Sequence, residues 1–270
     1  MTTLELVERK RRRVVRRVGS LLERIVESGK RRIAPAGYTL HRGSVLPPRD
    51  ARMGGVPYQD DEFFLNSAIG EARRVATLVE GRADQFLVDI GCGEGRLPIG
   101  LIHESQRISY VGLDVKRTAI EWCREYIQRD HPDFHFEHVD VVNARDNPGG
   151  VAIASDYRLP VQSARADIVY LWGVLTNMEP EHLAHYAGEI ARLLRRGGTA
   201  FLTAHVEEGV PDATINPEGY TPYACSGPLH AVRYDREYLL GTFRRAGLVL
   251  TELAYHMAGN CQSDLYFVKH

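Results

Sequence analysis

Residues 87–96 read Leu-Val-Asp-Ile-Gly-Cys-Gly-Glu-Gly-Arg, and this spacing can cradle a ligand that carries a cationic end. Apolar Phe86-Leu87-Val88 suits a buried parallel strand. Asp89 then stands at the carboxyl end of that strand. Gly91, Cys92, Gly93, Glu94 and Gly95 make a tight turn into a helical segment, Arg96 to His103. Glycines there admit positive φ and let the backbone come close to a ligand.

Two further acids close short apolar runs in the same way, Asp114 after Ile108–Leu113 and Asp140 after Phe134–Val139. Asp114 lies 25 residues beyond Asp89, close to the spacing at which an acid takes ribose hydroxyls. One carboxylate can accept both vicinal hydroxyls, and its charge strengthens each bond. Asp140 can accept from an exocyclic adenine amine. The turn is G-x-G-x-G rather than the dinucleotide G-x-G-x-x-G, and a carboxylate two residues ahead of it repels a pyrophosphate. Taken singly, each acid reads better as a helix N-cap or a surface residue. Taken together, they describe a site for a positively charged nucleoside.

The elements that must hold these acids alternate. Strands are expected at 86–90, 108–113, 134–139, 166–171, 199–203, 248–255 and 262–268. Helices are expected at 61–80, 96–103, 117–129, 179–195 and 236–246, the last two stopped by Gly197-Gly198 and Gly247. Residues 141–164 and 206–233 are expected to be irregular. The connection Met257 to Cys261 is too short for a parallel crossover, so the last two strands should be antiparallel. The fold class is therefore α/β. It is a doubly wound, seven-stranded, mostly parallel sheet with one antiparallel strand near the edge, helices on both faces and an N-terminal helical extension.

The acid-and-glycine run resembles motif I of the class I S-adenosylmethionine-dependent methyltransferases, and the resemblance covers residues 61–270. It implies the cofactor S-adenosylmethionine, with S-adenosylhomocysteine as product. It also implies that Asp89, Gly91, Cys92, Gly93 and Gly95 form the methionine-end loop. Asp114 with Val115 would take the ribose, Asp140 with Val141 the adenine, and Leu171 with Trp172 the floor beside the sulfonium. The stretch from Asp167 through Glu189 to Gly198 is similar to that of small-molecule members. Many relatives carry a histidine before the position of Met178, where this chain has Asn177.

The expected reaction is methyl transfer to an oxygen or nitrogen, in which alignment and exclusion of water supply much of the rate. A hydroxyl acceptor also needs a base. His205 follows the fifth strand and is the first candidate, with Glu207 and Glu208 beside it to orient or replace it; an ordinary, partly buried histidine is the competing reading. Tyr220, Tyr223, His230 and Asn177 are candidates to shape an acceptor pocket. Three functions stay open. The first is a methyltransferase for a small molecule, such as a natural-product or sugar hydroxyl. The second is an RNA or protein methyltransferase docked by its basic N-terminus. The third is a cofactor-binding interaction protein without catalysis. The Asn/Asp-Pro-Pro-Tyr segment of enzymes that methylate DNA amines is missing.

The chain has 270 residues, 44% hydrophobic and 26% charged, and a formal net charge of −1. Residues 1–32 carry 11 Lys/Arg against 4 Glu, leaving the remainder at −8. Their apolar residues, Leu4 through Val26, recur at helical spacing. Such a basic helix can lie on an anionic membrane, self-associate or touch nucleic acid, or it can simply present a solvated face. The acidic remainder argues against nucleic acid. Residues 33–60, rich in Gly and Pro, read as a linker or a flap, which divides the chain into 1–60 and 61–270. Cys92, Cys123, Cys225 and Cys261 are scattered without metal-ligand spacing, so no metal is expected. Reduced thiols and the lack of an apolar leader or spanning segment are read as cytoplasmic or membrane-peripheral.

Overall fold

A computed structural model describes residues 37–79, 84–218, 227–255 and 262–270. The expected basic helix, Tyr220, Tyr223 and the Met257–Cys261 connection lie outside the described residues. Leu40–His270 form one compact unit.

A small ribbon, β1 (Thr39–His41) and β2 (Ser44–Leu46), precedes α1 (Asp61–Val79). Strands and helices then alternate: β3 (Gln85–Ile90), α2 (Arg96–His103), β4 (Ile108–Asp114), α3 (Arg117–Cys123), β5 (Phe134–His138) and β6 (Ala166–Leu171). They are followed by α4 (Leu183–Leu193), β7 (Leu194–Glu207), β8 (Ala213–Ile215), β9 (Val232–Asp235), α5 (Arg236–Arg245), β10 (Leu248–Ala254) and β11 (Ser263–Lys269).

Seven strands run in the order β10-β11-β7-β6-β3-β4-β5. Strands β3, β4, β5, β6 and β7 pair in parallel, while β11 runs antiparallel to both β7 and β10. The expected single antiparallel strand beside the edge is therefore present. From β3 the chain moves outward through β4 to β5, then returns to β6 on the other side. Open α/β sheets bind ligands beyond the carboxyl ends of the strands at such a reversal.

Side chains alternate across the sheet, and two hydrophobic clusters result. Val88, Val169 and Leu171 face α4 and α5, whereas Leu87, Ile168 and Tyr170 face α1, α2 and α3. Phe243 of α5 stacks on Phe267 of β11 with ring centroids 4.7 Å apart, and both rings are buried. Each such side chain contributes roughly 1.5–3 kcal/mol by leaving water.

Three expectations need correcting. The helix placed at 179–195 begins with a 3-10 turn at Pro180–His182 and ends at Leu193. The glycine pair after it sits inside β7 rather than ending the helix. Leu194 already pairs with Ala166, Arg195 Nε reaches Asp167 Oδ1 at 2.5 Å, and Gly197 takes up the irregular register at φ +70°. The excursion at 206–233 is partly strand. The end of β7 pairs with β9 through His205–Glu207, and β8 pairs with β9. The helix expected at 117–129 changes to a π turn at Arg124–Gln128, where Gln128 Oε1 accepts from Phe136 N and Arg124 Nε donates to Phe136 O.

Candidate active site

The turn between β3 and α2 is tied to the end of β4. Gly91 N and Cys92 N both donate to Leu113 O, at 2.7 and 3.1 Å. Gly93 N donates to Asp114 Oδ2 at 2.7 Å, and Lys116 N donates to Asp114 Oδ1 at 2.7 Å. Asp114 is thus buried with one main-chain donor on each oxygen, and each oxygen keeps a lone pair for another donor. Gly91 is at φ +79°, and a Cβ there would lie 2.3 Å from Val174 Cγ2. Only glycine lets the segment after β6 close against this loop.

Asp89 is buried at 3% exposure and accepts from Tyr110 Oη at 2.6 Å. Burial pushes its carboxyl up to about 7, opposed first by the Tyr110 bond and then by the nearby Arg96 charge. Burial likewise raises Asp114 to about 6, opposed by its two main-chain donors. Desolvation is the larger effect in both, so each acid waits for a cation or a hydroxyl donor.

A cavity of about 900 Å³ opens over these residues. That volume lies at the upper end for a ligand site and leaves room for two molecules. Asp89, Gly91, Cys92, Gly93, Asp114 and Val115 line one end, continuing to Val141. Met53 to Tyr58 form a further part of its wall. Arg52 fastens that wall by donating to Pro47 O at 2.9 Å and Asp61 Oδ1 at 2.6 Å, with its guanidinium 4.8 Å from the Phe64 ring centroid. The Arg49 and Arg52 guanidinium groups hold Asp61 down to about 2.

The segment after β6 is fixed by polar bonds. Gly173 N donates to Thr203 Oγ1 at 2.8 Å, and Thr203 donates to Gln262 Oε1 at 2.6 Å. Asn177 Nδ2 donates to Gly173 O at 2.7 Å, while Arg145 donates to its Oδ1 at 3.2 Å. Asn177 therefore lines the cavity as a brace for that turn. Trp172, His205 and His230 also line it. His205 is 2% exposed, on the part of β7 that pairs with β9. His230 Nδ1 lies 3.0 Å from Gly227 O.

Other expected site residues fall elsewhere among the described residues. Leu171 is fully buried in the α4 and α5 cluster, because alternation along β6 turns Tyr170 and Trp172 toward the cavity instead. Glu207 is paired with Arg233 at 3.1 Å and is not part of the cavity wall. Its neighbour Glu208 is held by Arg236 at 3.0 Å. Asp140 is exposed and accepts from Asn147 Nδ2 at 3.0 Å, off the wall that Val141 joins. Gly95 lies at φ +78° as the residue before α2, where a Cβ would meet Ile127 Cδ1 at 2.6 Å, so its part is packing beneath the loop.

Residue types alone did not single out Arg96, Tyr170, His182 or Tyr186, all of which line the cavity. For Arg96 a signal existed, since a cation directly follows the last glycine of the loop. Among the described residues no group of His, Cys, Asp and Glu could hold a metal ion, and no helix is long and apolar enough to cross a membrane.

Residues 88–200 match the family model described as a methyltransferase domain. Solved structures share the architecture at low identity. The glycopeptide N-methyltransferase MtfA, complexed with S-adenosyl-L-methionine, is 12% identical over 75% of this chain and 94% of its own, with a TM-score of 0.51. The PH0226 protein of Pyrococcus horikoshii OT3 is 15% identical over 78% and 92%, also with a TM-score of 0.51. The cyclase SpnF is 17% identical over 76% and 82%, with a TM-score of 0.52. At these identities the likeness speaks for the fold. Residues 88–200 thus resemble a methyltransferase domain, and the fold is the class I, Rossmann-like one that these solved structures share.

Proposed function

We propose that the protein methylates a hydroxyl of a small molecule, with the acceptor held in the half of the cavity bounded by Tyr58, Trp172, His205 and His230. The observation that carries this reading is the cavity of about 900 Å³ with a buried histidine, His205, in its wall. Macromolecular acceptors generally need an open surface beside the methyl donor. Here Met53 to Tyr58 line the same cavity, with Met53 Sδ 3.9 Å from where a Cβ on Gly93 would stand.

The chain's residues fit the donor. Two positive-φ glycines, Gly91 and Gly93, bring main chain to the cavity, and a Cβ at Gly93 would have only Met53 Sδ near it, at 3.9 Å. Asp114 has lone pairs for ribose hydroxyls, and Asp89 has charge for an ammonium. Val115 and Val141 offer apolar surface for a base. Bound S-adenosylmethionine supplies an electrophilic methyl group on a sulfonium. The protein's part is to align the acceptor, keep water out and receive a proton. His205, in its neutral form, is the group suited to take the proton of an acceptor hydroxyl. Glu207 is committed to Arg233 and does not share that role. Non-catalytic binding of the donor is the second reading, since Asn177 braces a turn where many relatives carry a histidine.

The test is transfer of labelled methyl from S-adenosylmethionine into a panel of phenols, sugars and polyketide alcohols, beside bulk RNA and denatured protein. Label in the small hydroxyl compounds alone is the expected result. Label only in RNA or protein, or in no acceptor at all, overturns the proposal.

A further inference from the structure

The amino-terminal end of the sheet, opposite the cavity, gathers cations where β6, β7, β10 and α5 come together. Arg165 N donates to Leu193 O at 3.0 Å, which sets Arg165 beside the start of β7. Lys269 Nζ donates to Leu194 O at 2.8 Å, and Lys269 pairs with Leu248, shortly after the end of α5. Arg195, Arg196, Arg244 and Arg245 complete the cluster. Between Leu194 and Thr199, β7 carries extra residues against β6, and this bulge leaves Arg196 exposed. A Cβ at Gly197 would have only Arg195 Nη1 near it, at 3.6 Å, so the bulge stands clear of the rest of the chain.

Folding accounts for part of the cluster. Arg195 pairs with Asp167, and Arg245 donates to Thr242 Oγ1 at 2.8 Å in the last turn of α5, where cations suit the helix dipole. Arg165, Arg196 and Arg244 are exposed and pair with no acid among the described residues. Arg165 rests on an aromatic face instead, its guanidinium 5.2 Å from the Phe86 ring centroid. Five guanidinium groups thus meet two acids there, Asp84 and Asp167, although residues 33–270 as a whole carry a net −8. They stand on three separate segments, so the anion that suits them spreads its charge over a surface, and guanidinium groups suit phosphates. Two features favour lipid over nucleic acid. Among the described residues the cluster has no exposed aromatic ring on which a base could stack. The basic residues 1–32 also carry apolar residues at helical spacing, which an anionic bilayer uses and an RNA backbone does not. We infer that this face docks on an anionic phospholipid surface. Arg165, Arg196 and Arg244 lie against the headgroup phosphates, and the cavity at the far end of the sheet stays open to water.

The test is co-sedimentation of the full chain with vesicles of phosphatidylcholine alone and of phosphatidylcholine mixed with phosphatidylglycerol. Binding should be confined to the anionic vesicles and weaken as salt is raised, because exposed charges are screened. A cation near such a surface is worth roughly fivefold in partitioning, so the combined change Arg165→Gln, Arg196→Gln and Arg244→Gln should weaken binding by at least about tenfold. That variant separates this face from residues 1–32, and its affinity for S-adenosylhomocysteine should be unchanged. Lysine at the same three positions should keep most of the binding, since the charge stays. Hydrogen exchange with vesicles bound should slow at residues 163–165 and 195–197. Should the triple variant fail to fold by thermal unfolding, the pair Arg196→Gln and Arg244→Gln carries the same comparison. Unchanged binding of the Gln variant, an equal loss in the Lys variant, or slowed exchange only elsewhere overturns the inference. So does a chain that ignores anionic vesicles at low salt. Tighter binding of duplex RNA than of vesicles, lost in the same Gln variant, would give this face to nucleic acid and likewise overturn it.

Discussion

Asp114, the last residue of β4, accepts the main-chain N–H of Gly93 at 2.7 Å, so the end of one strand sets the shape of the loop that follows its neighbour. The same carboxylate accepts from Lys116 N with its other oxygen. A residue read from sequence as a ligand acid therefore also organises the glycine loop. Its loss removes a ligand contact and loosens the cradle together.

For that reason Asp114→Ala should weaken binding of S-adenosylhomocysteine by at least the 1.5–3 kcal/mol that a charged hydrogen bond is worth, roughly 10- to 150-fold. Asp114→Asn keeps one acceptor and should fall in between. Isothermal titration decides it, and unchanged affinity in the Ala variant would remove the ribose from β4.

Binding should also depend on pH in a stated direction. Burial raises Asp89 to about 7 and Asp114 to about 6, so folding favours their protonated forms. Both groups take stability away from the ligand-free protein as pH climbs from the ordinary carboxylate range through 6 and 7. A ligand ammonium favours ionised Asp89. Affinity for S-adenosylhomocysteine should then rise between about pH 5.5 and 8 and level off above, with proton uptake by buffer below pH 7. Titration in buffers of different ionisation enthalpy reads that proton, and Asp89→Asn should leave only the smaller share of Asp114, confined to pH values near and below about 6.

His205→Gln should lower kcat for a hydroxyl acceptor by about 100- to 10,000-fold, the usual worth of a general base. Affinity for S-adenosylhomocysteine should stay within twofold. The same loss of rate for an acceptor with pKa near 7, which ionises without help, would assign His205 to packing instead.

Gly91→Ala places a Cβ 2.3 Å from Val174 Cγ2 at φ +79°. Steric clash and left-handed backbone together should cost about 2–4 kcal/mol and several degrees of Tm. Gly91→Ala combined with Val174→Ala should recover the steric share only. Full recovery would mean that the backbone conformation at Gly91 is not strained for alanine.

Glu189 of α4 is 2% exposed, accepts from Leu159 N at 2.7 Å and pairs with Arg192 at 2.7 Å. Arg192 also donates to Leu159 O and Val161 O. Removing it in Arg192→Ala leaves a buried carboxylate and should cost about 3 kcal/mol in urea unfolding. Because Leu159 lines the cavity, ligand affinity should fall too. The double change Glu189→Leu with Arg192→Leu should recover much of the stability.

Local chemistry made the strand-turn-helix at 85–103, the acids at 89 and 114 and the antiparallel final pair legible in the sequence. Apolar runs, glycines and short connections act over a few residues, so their spacing alone decides the outcome. The same holds for α5, whose N-cap Asp235 accepts from Glu237 N and Tyr238 N. Tertiary pairing decided the rest. Gly197-Gly198 read as a helix stop, yet β6 claimed Leu194 and drew the pair into β7. Asp140 and Asp114 looked alike in sequence, but only Asp114 was buried against the glycine loop, while Asp140 met Asn147 at the surface. Leu171 was turned into the core by strand alternation, and Arg96 became a cavity cation only where α1, the 53–58 wall and the turn after β6 converge. Which face a side chain takes, and what stands opposite it, depends on segments far away in the chain, and that information resides in the packing.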